Sequence, residues 1–321
     1  MQRYMIGRLL QMGPILLGIS VVVFALLAAA PGDPVDLMIV GIPNVTPQDV
    51  ARLKHVYGLD QPVQVRYVRW LERAFQGDLG WSRTYREPVT RLIGDRLSNT
   101  ALLAGSALAL ALVVAIPVGI YSALHQYSAA DYGATLLTFF GVSVPAFWFG
   151  LMLIYLFGVA WHVLPPGGIN SPGVAPGVPM FADRLQYLPL PTLTLGLVFM
   201  ASFTRYTRSS MLEVVRQEYV RTALAKGLPR RAVIRRHAFR NALIPLVTVL
   251  GVAVPGVLAG APLTETVFSW PGVGKLLVDS TLGGDYVLAQ GIIMVIAAMV
   301  IVANLLVDGL YVILDPRIRY D

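Results

Sequence analysis

The fold class this sequence predicts is an all-α integral membrane protein with six transmembrane helices. Three observations predict it. The chain is 56% hydrophobic and 13% charged, against ~25% charge in a soluble domain. Six stretches reach the ~20 mostly apolar residues that a helix needs to cross a bilayer. They lie at about 9–30, 99–124, 134–160, 188–204, 241–262 and 288–314. Finally, the Lys and Arg residues gather on one side of these stretches.

The first span sits in "MQRYMIGRLLQMGPILLGISVVVFALLAAAPGD". A basic start, an apolar middle and small residues at the end are also the marks of a signal peptide. The apolar run exceeds the ~7–15 residues of a signal core, and Pro31 directly follows the small residues. Residues 1–30 therefore read as a tail and a retained helix. Residues 31–98 form a long polar segment with nine Lys/Arg and eight acids. Thr46 reads as an N-cap with Pro47 at the first helical position. "PVQVRYVRWLERAFQGDLG" reads as an amphipathic helix with Val65, Val68, Leu71 and Phe75 in register. Two readings of 31–98 stand: a cap over one end of the helices, or a folded loop with no ligand contact.

Residues 99–321 form the core. Spans two and five, "GSALALALVVAIPVG" and "LGVAVPGVLAGAP", are rich in Gly and Ala, which lets helices approach closely. Pro117, Pro145, Pro245 and Pro255 predict kinks or breaks, which either free backbone groups to line a cavity or only shape packing. Ser143 and Phe147, beside Pro145 in "VSVPAFWFG", are pathway candidates that packing explains equally well. Span four holds Pro189 and Pro191 and is the weakest; its end is expected to move toward Tyr206 or beyond.

Orientation follows from basic residues beside short loops. Arg3 and Arg8 precede span one, and Arg317 and Arg319 follow span six. Between spans four and five, Arg205–Arg240 holds ten Lys/Arg against Glu213 and Glu218. Six spans place all three groups on one side, expected to be the cytoplasm, with both termini there. Opposite them, 161–187 carries only Arg184 and 263–287 only Lys275. The net charge of +7 fits this orientation; no nucleic-acid module is found.

The chemistry is sparse. There is no cysteine, and the four histidines stand at no metal-ligand spacing. "WPGVGKLL" lacks the phosphate-loop pattern, since Ser269 stands at its first glycine and Leu276 at its Ser/Thr. It reads as a turn and a short surface helix. As drawn, the spans carry no buried ionisable residue except Asp308, which reads as a helix-end residue facing water. This is a pathway-forming body without a motor.

The basic segment, about 205–240, does more than orient the chain. Residues 213–227 read as a helix, with Tyr219, Thr222, Ala223 and Lys226 on one face. Ala223 and Gly227 would give that face a smooth patch. Gly227 followed by Pro229 reads as a helix stop. A second short helix is expected from Pro229 to about Phe239. Its Arg231 and Arg235 repel one another at i, i+4, so the face is expected to meet an acidic partner or lipid phosphates. Either the pair lies on the membrane surface, or it is a docking knob for another protein.

"EYVRTALAKGLPRRAVIRRHAFRNALIPLVTVLG" closely resembles the EAA loop of ABC-transporter permeases of the dipeptide/oligopeptide/nickel importer family. "YGLDQPVQVRYVRWLERAFQGDLGWS", "VSVPAFWFGLMLIYLF" and "ETVFSWPGVGKLLVDS" fit the same family in the same order. The resemblance implies an ABC importer type I permease fold and a bacterial or archaeal inner-membrane location. Its EAA loop is a coupling helix seated in a cytoplasmic ATPase. Ala223 matches the second alanine and Gly227 the glycine of that motif. Arg221 stands at its glutamate and Thr222 at its first alanine, and Lys226 and Arg221 are expected to pair with acids of the ATPase. The resemblance also implies a second homologous permease subunit, a substrate-binding protein, and ATP and Mg held by the ATPase rather than by this chain. It leaves nickel chelates, glutathione and oligosaccharides open beside peptides. A self-sufficient secondary transporter would show internal repeats and midplane ion ligands; neither is evident. A membrane-embedded enzyme would need converging catalytic groups, which the scattered histidines do not supply.

Overall fold

The computed structural model describes residues 2–29, 46–56, 58–175 and 177–314. Arg317, Arg319 and the side chain of Asp308 lie outside the described residues. The order is α1 (Gln2–Ala28), α2 (Pro47–Val56), α3 (Val63–Phe75), α4 (Val89–Leu124), α5 (Ala129–Ser143), α6 (Ala146–Leu153), α7 (Val178–Tyr187), α8 (Pro189–Val215), α9 (Glu218–Ala225), α10 (Arg230–Val233), α11 (Phe239–Val267), α12 (Val273–Leu282) and α13 (Tyr286–Leu314). A π turn, Ile154–Ala160, continues α6, and another, Ile234–Ala238, joins α10 to α11.

Among the described residues, four helices are long and apolar enough to cross a membrane, or six spans if each of two bent pairs counts as one. The first pair, α5 with α6, is bent by 105°; the expected span over 134–160 is thus broken at Pro145, where a kink or break was predicted. Val144 is extended (ψ 127), as a residue before proline prefers, and Pro145 has no N–H to continue the ladder. The pair still runs the length of α8. Asp131 meets Arg208. A Cβ on Gly141 would fall 2.8 Å from that of Ala201, and one on Gly150 lies 3.2 Å from Thr194. Leu153 packs with Leu190. These partners descend steadily along α8, so α5 and α6 form one broken span, not a loop that returns to its own side.

The centre is α4 against α8, packed in parallel. Ser106 Oγ lies 2.9 Å from Thr192 Oγ1. A Cβ on Gly196 would stand 3.2 Å from the Ala107 carbonyl, and one on Gly119 2.7 Å from Thr207 Cβ. Small residues thus bring the two backbones together. Phe203, Ala111, Ala115, Leu246 and Ala253 close the middle of the bundle.

Three boundaries differ from expectation. The span-two helix starts at Val89, not 99, because Val89, Leu92 and Ile93 are buried against Val273, Leu276, Leu288 and Ile292. The end of the polar segment is therefore part of the bundle. The span-four helix runs on to Val215. The helix in "WPGVGKLL" is not on the surface: Trp270, Val273 and Leu276 are buried. The Thr46 N-cap forms as read: Asp49 N–H donates to Thr46 Oγ1 at 3.2 Å and Thr46 N–H to Asp49 Oδ2 at 3.0 Å.

Candidate functional site: the basic loop and the polar joints behind it

The basic loop begins where α8 stops. Gln217 is extended (ψ 147), so the expected helix over 213–227 is broken at 216–217 and α9 starts afresh at Glu218. Gly227 ends the turn after α9 at φ +79, with its N–H on the Leu224 carbonyl at 2.9 Å. That left-handed conformation is why glycine stands there.

The structure divides the residues named from sequence. Arg221, Thr222, Lys226 and Gly227 are exposed. Arg221 Nη1 lies 3.0 Å from Glu218 Oε1 in a solvent-exposed pair. Ala223 is buried in a cluster with Val220 and Val233. Its smallness lets α9 lie against α10, and it is not part of an exposed smooth patch. Leu224 and Leu228 are instead each 43% exposed, on either side of Lys226 and Gly227. Sequence reading missed these two; two leucines spaced i, i+4 across a helix stop were the available signal. The second short helix also differs, since it continues through the π turn into α11 without a break. Asn241 Nδ2 donates to the Tyr219 hydroxyl at 2.9 Å and ties α9 to the start of α11.

Behind the loop lies a joint that sequence reading also missed. Arg208, near the end of α8, donates through Nε to Asp131 Oδ1 at 2.6 Å and through Nη2 to Oδ2 at 2.8 Å. Ser122 Oγ donates to Oδ1 as well, and the Tyr127 N–H to Oδ2 at 3.0 Å. Asp131 is 3% exposed and lies inside α5, so the expectation that Asp308 is the one ionisable residue in a span is corrected. Four donors occupy its ~4 acceptor positions. The carboxylate is a joint between α4, α5 and α8 and has no free lone pair for an ion or a proton path.

At the other end of the bundle, buried Glu265 accepts from Thr100 Oγ1 at 2.7 Å and from the Lys275 N–H at 2.8 Å. Burial is the larger influence on it and pushes its carboxyl above the ordinary glutamate range; it stands just beyond the fifth apolar stretch, 241–262. Thr100 Oγ1 in turn accepts from the Val273 N–H at 2.8 Å. Asp285 accepts from Ser82 Oγ at 2.7 Å and from the Thr84 N–H at 3.0 Å. These contacts hold α12 and the 79–88 turn onto α4 and α13. Ser143 and Phe147 sit at the α5–α6 bend, exposed, and are not brought to the basic loop. Among the described residues no cluster could hold a metal ion.

Two family models match this chain: the binding-protein-dependent transport system inner membrane component over residues 115–320, and the N-terminal part of such membrane components over residues 1–104. The chain belongs to this transport family. It is 42% identical over 321 residues to an oligopeptide transport system permease of Bacillus subtilis, covering 100% of both chains. It is 39% identical to a dipeptide transport system permease of Escherichia coli K12, covering 100% of this chain and 99% of that one. Among solved structures, the MetNI methionine ABC transporter in inward-facing form matches with a TM-score of 0.54 at 13% identity, over 70% of this chain and 96% of that one. The last likeness is one of fold: the chain has the type I permease fold of an ABC importer.

Proposed function

We propose that this chain is one of two homologous membrane subunits of an ATP-driven importer, and that the pair encloses a pathway for peptides handed over by a substrate-binding protein. The observation that carries the reading is full-length similarity to permeases named for oligopeptide and dipeptide transport, joined to a loop with an exposed apolar tip. A cytoplasmic ATPase supplies the energy and holds ATP and Mg. Arg221, Thr222, Leu224, Lys226, Gly227 and Leu228 form the surface it meets, and Ala223 holds that surface against α10 from inside. The basic loop and both termini lie in the cytoplasm, and residues 46–88 lie outside it.

The experiment is reconstitution in vesicles of the full chain with its co-purifying subunits, followed by uptake of a labelled peptide and ATP hydrolysis. Gly227→Trp should insert normally and abolish ATP-driven uptake, because bulk at the tip blocks seating. Normal uptake by this variant removes the docking role. A chain that purifies alone and moves solute alone is a self-sufficient carrier, and the proposal fails.

A further inference from the structure

Helix α3 carries more apolar surface than its contacts use. At ~100° per residue, Tyr67, Trp70 and Ala74 share one side, Val68, Leu71 and Phe75 continue it, and Arg66, Arg69 and Arg73 lie across from them. The first group docks on α1. The Tyr67 hydroxyl lies 2.8 Å from Ser20 Oγ. The Phe24 ring stands 5.4 Å from Tyr67 and 6.1 Å from Trp70. Trp70 is 6% exposed, whereas Val68 is 50% and Phe75 81% exposed.

Depth decides what meets this exposed stripe. The apolar run of α1 is Leu10–Ala28, about the length that a bilayer core requires. Ser20 lies near its middle, roughly 12 Å below Ala28 at helical rise. A helix hydrogen-bonded there through a tyrosine lies against the outer half of a membrane span. Next to Phe24 on α1, Val21 is exposed, and Val22 and Leu26 are exposed farther round that helix, so apolar surface continues from α3 onto α1 at Val21. The three arginines occupy the opposite edge of α3, where long side chains reach phosphate; the one acid, Glu72, lies between that edge and Val68.

We infer that α3 is an interfacial helix seated in the leaflet on the side of residues 46–88. Val68, Leu71 and Phe75 contact phospholipid acyl chains, and Arg66, Arg69 and Arg73 contact headgroup phosphates. The segment thereby braces α1 against the bilayer. The inference depends on α1 spanning the membrane and not on the ATPase or the transported solute.

The absence of cysteine makes the test direct. Val68→Cys, Phe75→Cys and, on the polar edge, Arg73→Cys are each labelled with a nitroxide in the full chain with its co-purifying subunits. The samples are reconstituted in vesicles of phosphatidylethanolamine and phosphatidylglycerol. Collision with oxygen, which partitions into lipid, is compared with collision with a water-soluble nickel chelate. Positions 68 and 75 should favour oxygen several-fold and position 73 the chelate. Preference for the chelate at 68 and 75 overturns the inference, because the stripe then faces water. Low collision with both reagents also overturns it, because protein then covers the stripe. Phe75, at the exposed end of the helix, keeps the test open if Val68→Cys fails to fold.

Discussion

Replacing Asp131 by asparagine tests the joint between α4, α5 and α8. The change keeps shape and removes charge. Oδ1 now receives Arg208 Nε and the Ser122 hydroxyl, while Oδ2 receives Arg208 Nη2 and the Tyr127 N–H. Whichever way the amide turns, its NH2 faces two donors, and Arg208 keeps a charge with nothing opposite. Removing one partner of a buried pair costs about 3–5 kcal/mol. Arg208 is 28% exposed on its side chain, against 4% for Asp131, so water recovers part of the loss and the lower end, about 3 kcal/mol, applies. The mirror change, Arg208→Met, strands the more buried charge and should cost at least as much. Removing both, Asp131→Ala with Arg208→Met, should restore most of the stability, since a buried pair replaced by apolar groups is often near neutral. The assay is a double-mutant cycle of Asp131→Ala, Arg208→Met and the two together, with Asp131→Asn alongside, on unfolding of the purified assembly in detergent. The two changes should couple by more than about 1 kcal/mol, within the range seen for residues in one network. A single Asp131→Asn indistinguishable from the parent, or a double variant as unstable as the sum of the singles, refutes the joint.

Three further outcomes follow from contacts already described. Gly119→Ala should destabilise by about 1–3 kcal/mol through overpacking, because its Cβ would lie 2.7 Å from Thr207 Cβ and 2.9 Å from the Thr204 carbonyl. Gly105→Ala, with nothing within 4 Å, should be neutral or stabilising by up to ~1 kcal/mol; thermal unfolding of the two in parallel is the check. Gly272→Ala should disrupt the α11–α12 turn, because the new methyl group would fall on the Glu265 carboxyl, and protease access at 268–275 reads the effect. The cap of α2 should respond to pH: the Thr46 hydroxyl, then its N–H, hold the Asp49 carboxyl below its ordinary range. A depressed folded pKa means the cap's contribution is present above the ordinary Asp range and is lost as pH falls through the depressed value. The protection factor of the Val50 amide, its exchange corrected for the intrinsic rate at each pH, should therefore fall in acid, and Asp49→Asn should abolish that step.

Much of this architecture was legible from local pattern. Long apolar runs marked six spans, Gly227 with Pro229 marked the end of α9, and Thr46 marked the start of α2. What was missed depends on partners distant in sequence. Asp131 stood in what read as a short loop, and its arginine is 77 residues away. Arg208 read as one more positive charge holding a loop in the cytoplasm. Val273 and Leu276 looked like one side of a surface helix because their cover, Val89–Ile93, lay in a segment read as a separate cap. Ala223 was read by size alone; small residues serve tight internal packing as readily as an open patch, and only Val233 beside it decides. The Pro145 bend was anticipated, but its 105° angle depends on how α5 and α6 each follow α8.

The contacts of the 82–100 stretch bear on how the chain is made. Ser82 waits for Asp285 across 203 residues, Arg83 for the Gly283 carbonyl across 200, Asn99 for the Pro271 carbonyl across 172 and Thr100 for Glu265 across 165. Closing such loops is slow, because chain entropy is lost before the contact forms. A ribosome adding ~5–20 residues per second leaves this stretch without its final partners for roughly ten seconds or more. In that interval Val89, Leu92 and Ile93 have no cover from α12 or α13. A chain truncated before Val273 never acquires that cover. Assembly of this end of the molecule is thus a late step, and quality-control proteases can recognise incomplete chains by the apolar helix left open there.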